Sequence, residues 1–152
     1  MFSYALSFAV IAIYWLTHHR MFHYIRRLDS TLLVLNLASL GVTAFVPFPT
    51  AVLGDHGRTT AAVVFYAATM GVLGGLVSAF WMYATHDRRL IQADTPPRFV
   101  NHALWRAISL PAVFIASIPI AFADPQAAKL FWLVIVVVRV LLRRHYGSIY
   151  SA

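Results

Sequence analysis

The sequence predicts an all-α polytopic membrane protein, and three observations support this fold class. Of its 152 residues, 61% are apolar and 11% are charged, whereas soluble domains average roughly 45–50% and 25%. The mean hydropathy is +0.73. The apolar residues form continuous runs that reach or approach the roughly 20 residues needed to cross a bilayer as a helix. A soluble enzyme and a nucleic-acid-binding module are therefore excluded, although the net charge is +7.

Five apolar runs define the predicted spans of a single transmembrane domain, 1–152. The first run is the shortest, and Tyr14 and Trp15 near its charged end are typical of interfacial anchors. It lacks the basic segment and cleavage site of a signal peptide. The third run contains Gly71, Gly74 and Gly75, which we expect to permit close approach of another helix. The five spans are approximately 1–19, 31–53, 59–85, 107–123 and 127–142.

The connection between the third and fourth spans, 86–106, is the longest, and it contains Pro96-Pro97. Two structures fit its sequence. One is a short amphipathic helix at the membrane interface, with the apolar residues Phe99, Val100, Leu104 and Trp105. The other is a polar loop that runs into the fourth span. We predict the loop.

Lys and Arg are distributed unevenly between the connections. One side has only Arg58 and Lys129, while the other has nine basic residues. Because cytoplasmic loops carry the excess of positive charge, we expect a cytoplasmic C-terminus. Five spans then place Met1 outside, without a signal peptide, and the first apolar run begins at once. Both features predict a chain that lacks an N-terminal helix. The nine residues are Arg20, Arg26, Arg27, Arg88, Arg89, Arg98, Arg106, Arg143 and Arg144.

Polar residues at membrane depth are costly and suggest function by default. His19 and His23 lie on one helical face, a spacing that suits a two-histidine metal or haem site. No carboxylate or further histidine on that face completes such a site. We therefore expect His18, His19 and His23 to bond to partner helices or lipid headgroups. Asn36 is expected to bond across to another helix.

The other ionisable residues have simpler expected roles. Arg139 is expected to extend its guanidinium to the cytoplasmic interface rather than to serve as a buried functional charge. Asp29 is expected to form a solvated ion pair with the arginines just before it. Asp55 and Asp124 are expected to cap helices or form turns, with the lining of a cation entrance as the alternative. The chain has no Cys and no catalytic constellation, so we predict no enzyme activity and no cofactor.

A pattern in the first run is recognisable: Trp15, His18, Arg20 and the pair Met21-Phe22. It resembles the second transmembrane helix of the transmembrane protein 175 family of potassium channels, whose bacterial members carry domain of unknown function 1211. The resemblance continues through residues 25–29, 33–37 and 44–50. It extends less specifically over the rest of the chain.

The resemblance implies a six-helix unit with both termini in the cytoplasm, four of which surround a central pore. It implies potassium conduction without a carbonyl-loop filter, through a pore lined by a first helix with an Arg…Phe-Ser-Asp signature. By resemblance, a hydrogen-bond network that supports this pore includes Trp15, His18, His19, Arg20 and Asn36. The Phe-Ser-Asp motif occurs nowhere in the 152 residues, and Thr17 stands where bacterial relatives often have Asn.

The sequence therefore predicts a potassium channel subunit, N-terminally truncated, in a bacterial plasma membrane. Its expected partners are potassium ions, membrane lipids and three further copies of itself, with no nucleic acid. We expect conduction only from a version extended upstream. Two alternatives remain open: a membrane oxidoreductase subunit that binds haem or metal through His19 and His23 with His102 or His145, and a non-conducting scaffold.

Overall fold

Helices form almost the whole chain. The computed structural model describes residues 2–88 and 90–146, with side chains for 4–5, 7–88 and 90–142. Within these residues there are seven α-helices: α1 (Phe2–His23), α2 (Ser30–Phe45), α3 (Pro47–His56), α4 (Thr60–Thr85), α5 (Pro97–Ala123), α6 (Pro125–Phe131) and α7 (Val134–Tyr146).

Four of the described segments are long and apolar enough to cross a membrane, by length and composition. The first predicted span, α1, has a sufficient length of 22 residues but is less apolar, because His18 and His19 fall within it. The predicted all-α membrane bundle is confirmed. The four segments are Ser30–His56, Thr60–Arg88, Pro97–Ala123 and Pro125–Leu142.

Helix boundaries follow local side-chain chemistry. The Asp29 carboxylate accepts a hydrogen bond from the Leu32 amide at 2.8 Å and so caps the N-terminus of α2. Its second oxygen accepts a hydrogen bond from the Tyr83 hydroxyl at 2.7 Å. Asp29 thus ties the start of α2 to the end of α4, a role that the sequence did not predict.

The centre of the bundle is the contact between α4 and α5. A Cβ atom added to Gly74 would lie 2.7 Å from Pro111 Cδ, and one added to Gly71 would lie 3.0 Å from Ile115 Cγ1. The two helices therefore approach so closely that only glycine fits at position 74 without displacement. The prediction for Gly71 and Gly74 is confirmed, whereas Gly75 has open space around it.

One end of the bundle is closed by the two basic connections. Ile25 and Ile91 form an isolated antiparallel bridge, and the Arg26 amide donates to the Leu90 carbonyl at 2.8 Å. Beneath them lies the fully buried Trp81, whose Nε1 donates to the Val100 carbonyl at 3.1 Å. The basic residues that the sequence assigns to one side of the membrane, where described, are thus drawn together at one end.

The structure corrects the predicted loop before the fourth span. Residues 97–106 are helical and continuous with the apolar part of α5. Pro97 occupies the first helical turn, where its missing N–H needs no partner, and Pro96 is extended before it. His102 and Ala103 of this segment are buried. The Pro-Pro pair therefore starts a helix instead of marking a loop.

Two other predicted spans are each divided into two helices. Val46 separates α2 from α3, because Pro47 has no N–H to continue the hydrogen-bond pattern. Residues 132–133 separate α6 from α7 as a turn. Hydropathy defines the span in both cases but does not reveal the break.

Candidate functional site

The structure joins His18 of α1 to Asn36 of α2. His18 Nε2 lies 2.6 Å from Asn36 Oδ1. Because the amide oxygen can only accept, Nε2 must carry the proton in this pair. The prediction that Asn36 bonds across to another helix is confirmed.

A second hydrogen bond lies one helical turn away. The Tyr14 hydroxyl and Ser39 Oγ are 2.8 Å apart, and Ser39 Oγ donates its one proton to the Asn36 carbonyl at 2.8 Å. Tyr14 is therefore the donor to Ser39. The sequence reasoning missed this pair, although Tyr14 precedes His18 by four residues and Ser39 follows Asn36 by three, so each lies on the same helical face as its neighbour.

Aromatic rings enclose the His18 side chain. Its ring centroid lies 4.5 Å from that of Phe22 and 6.2 Å from that of Phe80, and Phe22 and Phe80 are 5.3 Å apart. Because Phe80 belongs to α4, His18 connects its own helix α1 with both α2 and α4. In such apolar surroundings, an arrangement that left either His18 or Asn36 without its hydrogen-bond partner would have a high free energy.

Trp15, His19 and Arg20 do not join the His18–Asn36 pair. Trp15 is 57% exposed, and its ring centroid lies 6.0 Å from that of His18 and 6.5 Å from that of His19. All three of these rings belong to α1, and His19 is exposed. Of the five residues predicted for the network, the structure brings only His18 and Asn36 into direct hydrogen-bond contact.

Arg20 lines a different cavity, of about 40 Å³, between α1 and α5. Its polar lining also includes Thr17, His102 and Arg106. On the neighbouring α7, the Nε atom of Arg139 is buried and has no hydrogen-bond partner among the described residues. The predicted extension of the Arg139 guanidinium to the interface stays a prediction, because only its inner nitrogen is buried.

The metal-site alternative lacks a ligand cluster within the part of the chain that the structure describes. His19 and His23 are exposed, and His102 is buried on α5. No group of three histidine, cysteine or acidic residues capable of holding a metal occurs among the described residues. The side chain of His145 lies outside the described residues.

An open cleft of about 1160 Å³ lies at the opposite end of the bundle and includes Asp55 and Asp124 in its lining. The Asp124 carboxylate accepts a hydrogen bond from the Gln126 amide at 2.8 Å, which confirms its predicted capping role. Lys129 Nζ donates to the Gly57 carbonyl at 2.8 Å across the cleft. Arg58 also lines it, so charges of both signs are present.

Apolar helices of membrane-spanning length, packed through glycines and joined by partly buried polar pairs, define an integral membrane helical bundle. The sequence profile of the family described as the endosomal/lysosomal potassium channel TMEM175 matches residues 1–47, which contain both partners of the His18–Asn36 bond. No solved structure matches the chain significantly.

Curated relatives extend the match. A potassium channel of Streptomyces collinus is 32% identical over 142 residues, which cover 86% of this chain and 68% of that protein. A potassium channel of Chamaesiphon minutus is 36% identical over 90 residues, or 57% of this chain and 44% of that protein. The endosomal/lysosomal proton channel TMEM175 of Danio rerio is 23% identical over 145 residues, or 95% of this chain and 28% of that protein. The chain belongs to the TMEM175 family of ion channels.

Proposed function

We propose that this chain is a subunit of a channel that conducts potassium ions passively across a membrane. The observation that carries the proposal is the 32% identity to the potassium channel of Streptomyces collinus over 68% of that channel's length. The bacterial relatives named potassium channels are 32% and 36% identical to this chain, while the vertebrate relatives named proton channels are 22–24% identical. This difference favours potassium over protons as the conducted ion.

The geometry of α1 supports different roles for its two faces: one bonds to α2 and the other is free to contact a further helix. His18, with Tyr14, bonds inward to α2 and fixes the rotation of α1 about its axis. Trp15 and His19, four residues apart, are thereby held on the outward face. In the proposed channel this outward face, with Arg20, contacts the helix that lines the pore.

The proposed role of this chain in conduction is to position that pore-lining helix. Conduction itself would be controlled as in other helical pores, where an apolar constriction gates by losing water and where pore width and lining oxygens set selectivity. The rigid His18–Asn36 pair keeps α1 at one angle, so that the constriction has a constant width. Displacing α1 would change ion flux without altering the residues that touch the ion.

The proposed assembly is a homotetramer in the bacterial plasma membrane with a cytoplasmic C-terminus. Support for the orientation comes from the nine basic residues on one side against two on the other. The bridge between Ile25 and Ile91 places two of the basic connections at the same end. Arg58 and Lys129 line the cleft at the other end.

The test is potassium flux in proteoliposomes that contain the protein expressed from its gene together with any in-frame codons upstream of Met1. With potassium trapped inside and a pH-sensitive dye outside, a potassium channel drives proton uptake only after a protonophore is added. A proton channel drives uptake only after a potassium ionophore is added. We expect the first pattern.

The matched variant for this test is Trp15→Ala, with Trp105→Ala as its control. Both tryptophans are 57% exposed, but only Trp15 lies on the proposed pore-facing surface. We expect altered flux from Trp15→Ala and unchanged flux from Trp105→Ala. A protein that inserts stably and conducts under neither condition would contradict the channel proposal and favour a scaffold.

A further inference from the structure

Four cationic or potentially cationic side chains converge at the end of the bundle that carries the basic connections. Arg20 of α1 lines the same cavity as His102 and Arg106 of α5. Arg106 also acts electrostatically on both His102 and Arg139, the latter from α7. Three helices thus contribute positive charge around Arg106.

The described part of the chain supplies no carboxylate to balance this charge. Neither Arg106 nor Arg139 forms an ion pair with an acidic side chain among the described residues. The sequence has five aspartates and no glutamate. Asp55 and Asp124 lie in the cleft at the opposite end. Asp29 caps α2 and accepts a hydrogen bond from Tyr83, Asp87 pairs with His86, and Asp94 is exposed. Arg106 and Arg139 are partly buried. Because like charges repel and partly buried charge is stabilised by a partner of opposite sign, the cluster favours an anion from outside the described residues.

The position of Arg106 along α5 indicates what kind of anion can reach it. The helix has 27 residues and is therefore roughly 40 Å long, at about 1.5 Å per residue. A hydrocarbon core is only about 30 Å thick. Arg106 immediately precedes the apolar stretch 107–123, and its neighbour Trp105 is exposed, as interfacial aromatic residues are. Arg106 therefore lies at headgroup depth.

The surface of α7 beside Arg139 is suited to acyl chains. Val136, Val137, Val140 and Leu141 are all exposed and flank Arg139 in sequence. A molecule that occupies this place must present an anion to the arginines and hydrocarbon to the valines. A phospholipid has both parts, whereas a free anion has only the first.

We propose that Arg106 and Arg139, assisted by Arg20 and His102, bind the phosphate of an anionic phospholipid headgroup at the basic end of the bundle. The planar guanidinium groups donate paired hydrogen bonds to phosphate oxygens. Basic pockets between transmembrane helices are established binding sites for such headgroups. This site is independent of whether the protein conducts ions.

The test is a titration of the purified full chain in neutral detergent with dioctanoyl phosphatidylglycerol, followed by the shift in thermal unfolding temperature. Dioctanoyl phosphatidylcholine and inorganic phosphate serve as separate ligands. We expect the wild-type chain to bind phosphatidylglycerol at least about fivefold more tightly than phosphatidylcholine. We expect Arg106→Gln and Arg139→Gln each to weaken phosphatidylglycerol binding by about fivefold, the contribution of one basic residue near an anionic lipid.

Arg98→Gln is the matched control, because Arg98 is exposed on the first turn of the same helix. It should weaken phosphatidylglycerol binding by less than about twofold, since exposed charges are screened by salt. In phosphatidylcholine alone, Arg139→Gln should unfold at the wild-type temperature or above, because it removes a partly buried charge that no carboxylate balances. That result separates lost lipid binding from misfolding.

Three results would overturn the proposal. Equal losses in Arg98→Gln and Arg106→Gln would show diffuse attraction to the lipid surface. Displacement of phosphatidylglycerol by inorganic phosphate at comparable concentration would show a site for a soluble anion. Wild-type binding without preference for phosphatidylglycerol over phosphatidylcholine would show that the arginines are balanced by another group, such as a carboxylate of a second copy.

Discussion

Two spans of the same hydropathy, one containing α4 and the other formed by α6 and α7, have opposite positions in the bundle. The two spans, Thr60–Arg88 and Pro125–Leu142, share a mean hydropathy of 1.8 over their most apolar windows. Yet 56% of the window is buried within the fold in the first case and 6% in the second. Overall apolarity therefore does not decide which helix lies at the centre.

The difference lies in the size of the side chains. The buried face of α4 includes Ala67, Gly71, Gly74 and Ser78, which allow α5 to approach. The exposed face of α7 is built from valine and leucine. Lipid is as apolar as these side chains, so helices in a membrane associate through close packing and polar contacts and not through hydrophobicity. Small residues, more than apolar ones, mark the centre of this bundle.

The largest expected effect comes from removing packing volume on α4. Leu73 is only 3% exposed, and Leu73→Ala should lower the free energy of unfolding by about 2–3 kcal/mol, the lower part of the range for such cavities. The lower part of the range applies because the unfolded state in a micelle is also surrounded by apolar chains. The loss then comes mainly from the cavity and less from transfer of leucine to water. The measurement is unfolding in mixed micelles with increasing dodecyl sulfate.

Leu141→Ala on α7 is the matched substitution, since Leu141 is 58% exposed. We expect a loss below about 0.5 kcal/mol. Equal losses at Leu73 and Leu141 would mean that α7 is as closely packed as α4 in the assembled protein, and the contrast between the two helices would fail.

The second prediction concerns the contact at Gly74. A Cβ at this position would meet both the side chain and the backbone nitrogen of Pro111, at 2.7 and 3.1 Å. Gly74→Ala should therefore force α4 and α5 apart and cost about 1–3 kcal/mol, as overpacking does. The same mixed-micelle unfolding experiment measures it.

Gly75→Ala is the control, because a Cβ there has nothing within 4 Å. Replacing a helical glycine by alanine without a clash should stabilise the fold by about 0.5–1 kcal/mol. The two neighbouring substitutions should thus have opposite signs. A common sign would indicate that helix propensity, and not interhelical distance, governs this region.

The third prediction tests the polar connection between α1 and α2. In a double-mutant cycle with His18→Phe and Asn36→Leu, we expect a coupling energy of about 0.6–1.7 kcal/mol, the range for hydrogen bonds between membrane helices. Asn36→Leu alone should be destabilising, since it leaves His18 without its acceptor. Additive single effects would show that the pair is not formed in the membrane.

Hydropathy was sufficient to predict the all-α bundle and the approximate position of each span, because long apolar runs have few alternatives in a bilayer. It did not predict the breaks at Val46 and after Phe131. The residues at both breaks are apolar, so hydropathy does not distinguish them from the rest of the run. The start of α5 at Pro97 was missed because proline both ends a preceding helix and begins a new one.

The candidate site was partly predictable for a related reason. The need of Asn36 for an interhelical partner follows from its residue type and depth, so that prediction could be made from sequence. The identity of the partner depends on how α1 is rotated, and that rotation is set by its contacts with α2, α3 and α4 together. For Arg106 and Arg139, 33 residues apart in sequence, no local pattern indicated that they interact.

The smallest expected effect tests whether α7 faces lipid or another copy of the chain. Val136 is 59% exposed, so Val136→Phe should change the free energy of unfolding by less than about 0.5 kcal/mol if lipid surrounds it. If a second copy packs there, the larger side chain should cost about 1–3 kcal/mol and reduce the oligomer recovered after crosslinking. The proposed tetramer needs at least one helical face outside the α4–α5 core as its contact between copies. If Val136→Phe reduces the crosslinked oligomer without changing the stability of the single chain, α7 provides that contact. An unchanged oligomer would leave the exposed surfaces of α1 and α2 as the contact.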